Sequence, residues 1–531
     1  MPPTAPPAPA PAADGGSPPS PRLLAAIDIG SNSFRLEIGQ LLRGRYKRVE
    51  YLKETVRLGA GLDADGLLTD EAAGRGLDCL ARFAQRLAGF APTQVRAVAT
   101  QTLREARNRD AFLARGQAAL GYPIDVISGR EEARLIYAGV ARLQPSDAPR
   151  LVIDIGGRST EMILGHGRTP TAAESFPVGS VSLSMRYFGD GRFTEAAFRA
   201  ALIAAGAEFA EALAPFSKDR WQEALGSSGT AGAVSQLLAA SRVTDGGITP
   251  AGLRWCIERC LEAGHAGRLD LPGLKDDRRA VIAGGASILY TLATQFDIAA
   301  LQPARGALRQ GVIFDLDERH AAAGEAGHGS AHAVDMRDAS TRQMQRQFDV
   351  DAEQAARVAR VADALWRSAD PLATVEPSKP GARERLSERQ RELGWATALH
   401  EVGMMISHHD HHRHSAYVLA HADAAGFSQS QQRWLADLVL AQRGGLRKVA
   451  TALEQDVFAW QALCLRLAVI HCQARGPIDE TALTLRRQGA QATLVFPKRW
   501  ADGQPRTLYL LGEEALAWER GGPLRLVLRP T

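Results

Sequence analysis

Two stretches of one design constrain this 531-residue chain more than anything else in it. Residues 151–164 read LVIDIGGRSTEMIL. The apolar, β-branched opening predicts a buried strand that ends near Asp154. Gly156 and Gly157 turn the chain and expose backbone N–H groups, Ser159 and Thr160 follow, and a second strand begins at Glu161. Residues 24–38, LAAIDIGSNSFRLEI, repeat the plan: strand, Asp28, Gly30, Ser31-Asn32-Ser33, strand. A glycine turn rich in hydroxyls and amides suits phosphate oxygens, and carboxylates beside it suit the magnesium that accompanies them. A single D-x-G hairpin is common. Two in the same order, about one small domain apart, predict a duplicated architecture.

These turns, DIGSNSFRL and DIGGRSTE, resemble the two phosphate motifs of the exopolyphosphatase / guanosine pentaphosphate phosphohydrolase family, part of the actin-like ATPase superfamily. The likeness runs on through ATQTLREA (99–106), ISGREEARLIYAGV (127–140), GSSGTAGA (226–233), GALRQGVIFDL (306–316) and ALHEVGMMISHHDHHRHSAYVL (398–419). It covers nearly all of the chain after the first two dozen residues. The resemblance implies an α/β fold with two actin-like (ribonuclease H-like) domains and then an all-α domain similar to HD phosphohydrolases. The chain departs from the family at Arg158, where a third glycine is usual.

Patterning sets the expected boundaries. Residues 1–22, rich in proline and alanine, cannot bury a core and lack a basic start and an apolar stretch. They are expected to be a disordered tail, not a signal peptide. Residues 23–148 and 149–318 are the two α/β units. Within them, Thr69 with Asp70 and Glu71 predicts a helix start, and 306–316 reads as a closing strand or helix. Residues 319–480 carry helical spacing throughout. Residues 481–531 return to strand-like runs, TALTLRR, ATLVFP, RTLYLL and LRLVLR, and predict a small β-rich appendage. Charge is mild, a net +4, which permits an anionic substrate without requiring nucleic acid. The five cysteines form no CxxC pair, a usage that fits a reducing cytoplasm. No stretch is apolar enough to span a membrane or hold one stably.

Cleaving a phosphoanhydride needs the charge on the transferred phosphoryl group neutralised, a metal, and an aligned water. Asn32, Ser33 and Ser159, with the N–H groups of Gly156 and Gly157, are the candidate phosphate contacts. Asp154 and Glu161, with Asp28 at the matching place in the first hairpin, are the candidate ligands for Mg2+, or Mn2+ in its place. Neither hairpin holds an obvious base, so a carboxylate from elsewhere is required. Glu131 and Glu132 are the choice, although two acids in a first helical turn also suit the helix dipole. The resemblance places the family's catalytic glutamate on Glu132 and a phosphate-meeting arginine on Arg104. Arg278 or Arg279 is expected to serve similarly from the second unit. Arg158 either crowds its turn, with strain if its φ is positive, or adds charge to the phosphate site.

His400, His408, His409, His411, His412, His414 and His421 fall in one short window. The HD site requires a His-Asp pair, and here the pair is His400–Glu401, so a degenerate HD fold without metal catalysis is expected. With Arg413, Arg443, Arg447 and Lys448 these histidines would line an anion path. The leading expectation is an exopolyphosphatase, and the nearest alternative is removal of the 5′ γ-phosphate from guanosine pentaphosphate (pppGpp). An actin-like ATPase or sugar kinase, and a non-catalytic polyphosphate or alarmone sensor, are alternatives of other classes. The resemblance also implies a homodimer.

Overall fold

The computed structural model describes residues 22–42, 45–324, 335–369 and 382–531. The proline-rich stretch lies outside them except for Arg22. The first unit is a five-stranded sheet in the order β3-β2-β1-β4-β5. Its strands are β1 (Arg22–Ile29), β2 (Phe34–Leu42), β3 (Arg45–Glu54), β4 (Val95–Ala99) and β5 (Ile124–Val126). Strand β1 is apolar on both faces because it sits mid-sheet, antiparallel to β2 and parallel to β4. Edge strand β3 carries the charges, as an edge should. Four helices accompany this sheet: α1 (Asp70–Arg86), α2 (Gln101–Glu105), α3 (Arg109–Leu120) and α4 (Gly129–Leu143). Thr69 caps α1 by accepting from the Ala72 N–H, and Ser128 caps α4 by accepting from the Glu131 N–H.

The second unit repeats the topology. Its sheet runs β10-β9-β6-β7-β8, from β6 (Arg150–Ile155), β7 (Thr160–His166), β8 (Thr169–Phe176), β9 (Glu223–Ser227) and β10 (Gln302–Pro303). Around it lie α5 (Ser180–Phe188), α6 (Glu195–Glu208), α7 (Ser228–Ala240), α8 (Pro250–Ala263), the short α9 (Asp276–Arg279) and α10 (Ile282–Gln295). The segment that could close as strand or helix is helical, α11 (Leu308–Gly324). Helices α4 and α11 meet at glycines: a Cβ added to Gly311 would lie 1.7 Å from the Leu135 carbonyl oxygen, and one on Gly139 2.3 Å from that of Ala307. This helix pair fills the space between the sheets. Leu24 and Ala26 of β1, Val152 of β6, Ile163 of β7 and Leu225 of β9 share one buried cluster with Leu135, Ile136, Val140, Val312 and Ile313. The alternate residues Ala25, Ile27 and Ile29 face the other way, toward α1.

A helical half follows: α12 (Met336–Gln347), α13 (Ala352–Ser368), α14 (Ala382–Leu399), α15 (His411–His421), α16 (Gln429–Ala441), α17 (Ala450–Leu453) and α18 (Asp456–His471). The C-terminal segment is a three-stranded sheet, β11 (Thr484–Gln488), β12 (Gln491–Phe496) and β13 (Arg525–Pro530), with α19 (Lys498–Gly503) and α20 (Pro505–Gly521). The run RTLYLL, expected as a strand, lies in α20. Its leucines recur at helical spacing, and Leu511 and Trp518 are buried on the inner face. The expected small β sheet is present, and it packs on the helical half. Leu485, Leu494, Phe496 and Trp518 belong to the same buried cluster as Trp460, Leu463 and Leu467 of α18. The buried Arg466–Glu514 pair adds a bidentate link between α18 and α20. Among the described residues no helix is long and apolar enough to cross a membrane.

Candidate active site

The two hairpin tips touch. A Cβ on Gly157 would lie 3.1 Å from the Ser31 Cβ and 3.5 Å from the Asn32 nitrogen. This contact puts the strand-end carboxylates Asp28 and Asp154 on one pocket of about 70 Å3, which Asn32, Ser33, Gly156, Gly157, Ser159 and Glu132 also line. The pairing registers explain the placement. Asp28 stands opposite Arg35 across the first hairpin, and Asp154 stands opposite Glu161 and beside Ser227 in the second.

Glu132 enters from the first turn of α4. Its Oε2 accepts from Arg104 Nη1 at 2.8 Å. Burial pushes its carboxyl up to about 7; Arg104 opposes the shift, and the charges of Asp154 and Asp28 reinforce it. Asp154 is also raised by burial, against hydrogen bonds from Ser228 and Ser227. Glu161 does not line the pocket. It lies one strand behind, accepting from Ser175 Oγ at 2.8 Å, and burial with the charges of Glu132 and Asp154 drives it well above the usual carboxylate range. Burial is the largest cause at all three carboxyls, and the charge of neighbouring carboxylates adds to it.

Several expected roles are reassigned. Glu131, beside Glu132 in sequence, points away from the pocket. Its carboxylate takes a bidentate grip from Arg134 at 2.7 and 2.8 Å and accepts from the Gly426 N–H at 2.9 Å. Successive helix residues diverge by about 100°, so only one of the two can face the site. Arg104 is not part of the pocket lining: its guanidinium is spent on Glu132, the Ile127 carbonyl and Gln101. Asp28 lines the pocket, where its Oδ2 pairs with Arg35 at 3.1 Å and Arg309 at 3.4 Å. The Gly156 N–H closes the turn onto the Ser159 carbonyl at 2.9 Å and does not point to an anion. Arg158 neither crowds nor charges the site. It has no positive φ, and it reaches out to Glu105 at 2.6 Å and the Gly59 carbonyl at 3.1 Å. Of the two open choices, Arg278 lines the pocket, over Gly229, while Arg279 pairs with Asp270 and Asp276 at the surface.

The cations that line the pocket are Arg35, Arg278 and Arg309. Arg35 and Arg309 were not anticipated. The period-2 pattern of β2 puts Arg35 across from Asp28, a signal present in FRLEI. Arg309 stands in the motif GALRQGV but meets Asp28 only through a chain separation of 281 residues. Ser228, which begins α7 with φ 62°, also lines the pocket. A non-glycine residue in that region costs free energy that the surrounding fold must offset, a feature common at functional turns.

In the helical half the histidines do not converge on a metal. His400 Nδ1 bonds the Thr397 carbonyl at 2.7 Å, and His411 Nε2 bonds Arg443 at 3.2 Å. Among the described residues no three histidine, cysteine or acidic side chains are grouped to hold an ion. Burial pulls His400, His411 and His412 down to about 4, so they are neutral at physiological pH.

Comparison with known proteins gives the family. The model of the Ppx/GppA phosphatase family matches residues 40–320, and the model of Ppx/GppA phosphatase domain III matches residues 336–515. An exopolyphosphatase-like protein of known structure is 25% identical with a TM-score of 0.51, over 57% of this chain and 100% of that one. An exopolyphosphatase from Cytophaga hutchinsonii shares the fold, at 24% identity and a TM-score of 0.51 over 56% of this chain and 98% of that one. A duplicated sheet, two facing hairpin turns and matching models over both halves lead to one statement: this chain belongs to the Ppx/GppA phosphatase family.

Proposed function

We propose that this protein is an exopolyphosphatase, which releases orthophosphate from the end of inorganic polyphosphate with the help of Mg2+. The observation that carries this reading is a second chamber of about 460 Å3. It shares Arg35, Ser228, Gly229, Arg278, Ala307 and Arg309 with the catalytic pocket. Arg48, Lys53, Lys275 and Arg305 line it as well, and among the described residues no aspartate or glutamate does. Burial and the Arg278 charge lower Lys53, and burial and Arg35 lower Arg278. Positive charge is thus in excess, in the place where the rest of a substrate would lie. A run of phosphates answers that excess better than a nucleobase does.

In this reading Arg35, Arg278 and Arg309 offset the charge of the terminal phosphoryl oxygens, and Asn32, Ser33 and Ser159 orient them. Glu132, held by Arg104, aligns the attacking water and takes its proton. Asp154, which lines the pocket, would hold Mg2+, with Glu161 one strand behind it acting only through water. The coulombic coupling of Glu161 to Glu132 and Asp154 fits a divalent cation near them. When bound, Mg2+ would supply charge neutralisation at the bridging and terminal oxygens; Mn2+ would substitute.

Removal of the γ-phosphate from pppGpp is the second reading, because Tyr51 lines the same chamber. Its ring, however, already lies beneath the Arg48 and Arg309 guanidinium groups at 5.3 and 5.2 Å. Phosphate release from long-chain polyphosphate and from pppGpp, at matched concentrations of phosphate ends, separates the readings. The expected result is a higher kcat/KM for the polymer; a preference for pppGpp would reverse the assignment.

A further inference from the structure

Glu131 and Gly426 belong to a closed ring of buried contacts that joins the catalytic helix to the helical half. Glu131 binds Arg134, and Arg134 Nη2 binds Asp315 at 2.7 Å. Asp315 accepts from Arg319 at 2.7 Å, Arg319 Nη2 donates to the Gly426 carbonyl at 2.8 Å, and the Gly426 N–H returns to Glu131 at 2.9 Å. Arg96 braces the ring from β4, donating to Asp315 at 2.6 Å. One residue of the α15–α16 loop, Gly426, is therefore held at both its N–H and its carbonyl by the actin-like half. The loop has little freedom to give. Gly426 has φ +88°, and an added Cβ would lie 3.0 Å from the Arg337 nitrogen and Cγ. Ala425 is tied to α12 through Ser340 Oγ at 2.7 Å. On the other side of the ring, Glu131 is the immediate neighbour of Glu132 in the first turn of α4.

We infer that the helical half positions Glu132. The Gly426 peptide and Arg319 lock Glu131 from behind, which fixes the rotation and height of the first turn of α4 and so aims the Glu132 carboxylate into the pocket. Glu131, Arg319 and Gly426 are positioning residues: none of them lines the pocket. The physical basis is that an ion-paired acceptor buried against a partner domain cannot move without stranding a charge, and that small misplacement of a reacting group is costly. The inference rests on the reading of Glu132 as the group that aligns water.

The test compares full-length G426A and R319Q with G444A. Gly444 also has a positive φ, +74°, but lies in the helical half away from the ring, so it controls for backbone strain alone. Expected in G426A and R319Q is a fall of about tenfold or more in kcat with KM changed less than about threefold. The double variant should fall little further, because both changes open one ring. G444A should keep the kcat of the wild type. Hydrogen exchange provides a readout independent of turnover: amides of the peptide covering 129–135 should exchange faster in G426A and R319Q and not in G444A. Unchanged exchange there, or kcat retained in folded G426A and R319Q, would overturn the inference. If the wild type cleaves neither polyphosphate nor pppGpp, the functional reading fails instead, and the exchange measurement alone decides the positioning claim.

Discussion

Glu132 and Glu131 differ by one position and by everything around them. Glu132 faces two other buried carboxylates with one arginine to balance it, and its proton is held up to about 7; Glu131 faces Arg134 and a peptide N–H. If Glu132 takes the proton of the attacking water, it must be ionised, so the rate rises with pH through about 7 and falls away below it. Glu132→Gln should lower kcat by about 10²- to 10⁴-fold and remove that limb; a pH–rate profile of the two proteins checks it. Arg158 tests the opposite kind of residue. Its pairing with Glu105 is partly exposed and worth at most about 1 kcal/mol. Arg158→Gly should leave kcat within about threefold of the wild type, and a many-fold rise would mean that the side chain obstructs its turn after all.

At the scale of elements, the hairpins and α4 work because other elements approach them at backbone distance. The α4–α11 crossing is the clearest case, since Gly311 packs onto the Leu135 carbonyl with no room for a methyl group. Gly311→Ala should separate the two helices and cost about 1–3 kcal/mol or more, read as a lower thermal midpoint. Because α11 carries Arg309 and Asp315, activity should fall with it. A variant of wild-type stability would show that the crossing yields more easily than the packing implies. The small residues in GALRQGVIFDL could be read along the chain, but the partner they make room for could not.

For the whole molecule, the carboxyls of Glu132, Glu161 and Asp154 bind protons more tightly folded than unfolded. Such groups contribute stability in full below their unfolded values, and it is lost as pH rises through the folded ones, for Glu132 between about 4.5 and about 7. A divalent cation at Asp154 and Glu161 would relieve that repulsion. Added Mg2+ should therefore raise the thermal midpoint more at pH 8 than at pH 5.5; an equal rise at both would remove the carboxyls from its site. Local patterning was enough to establish the paired hairpins, the duplicated α/β plan and the helical half, because each depends on residues a few positions apart. It misread RTLYLL, whose short apolar run looks alike as strand or helix until a neighbour buries one face. The partners of each charge were decided only by the fold. Arg309 meets Asp28, Arg104 turns to Glu132, and Glu131 reaches Gly426, across separations of 281, 28 and 295 residues. Electrostatic energy depends on distance and burial in space, and neither is written in the order of residues along the chain.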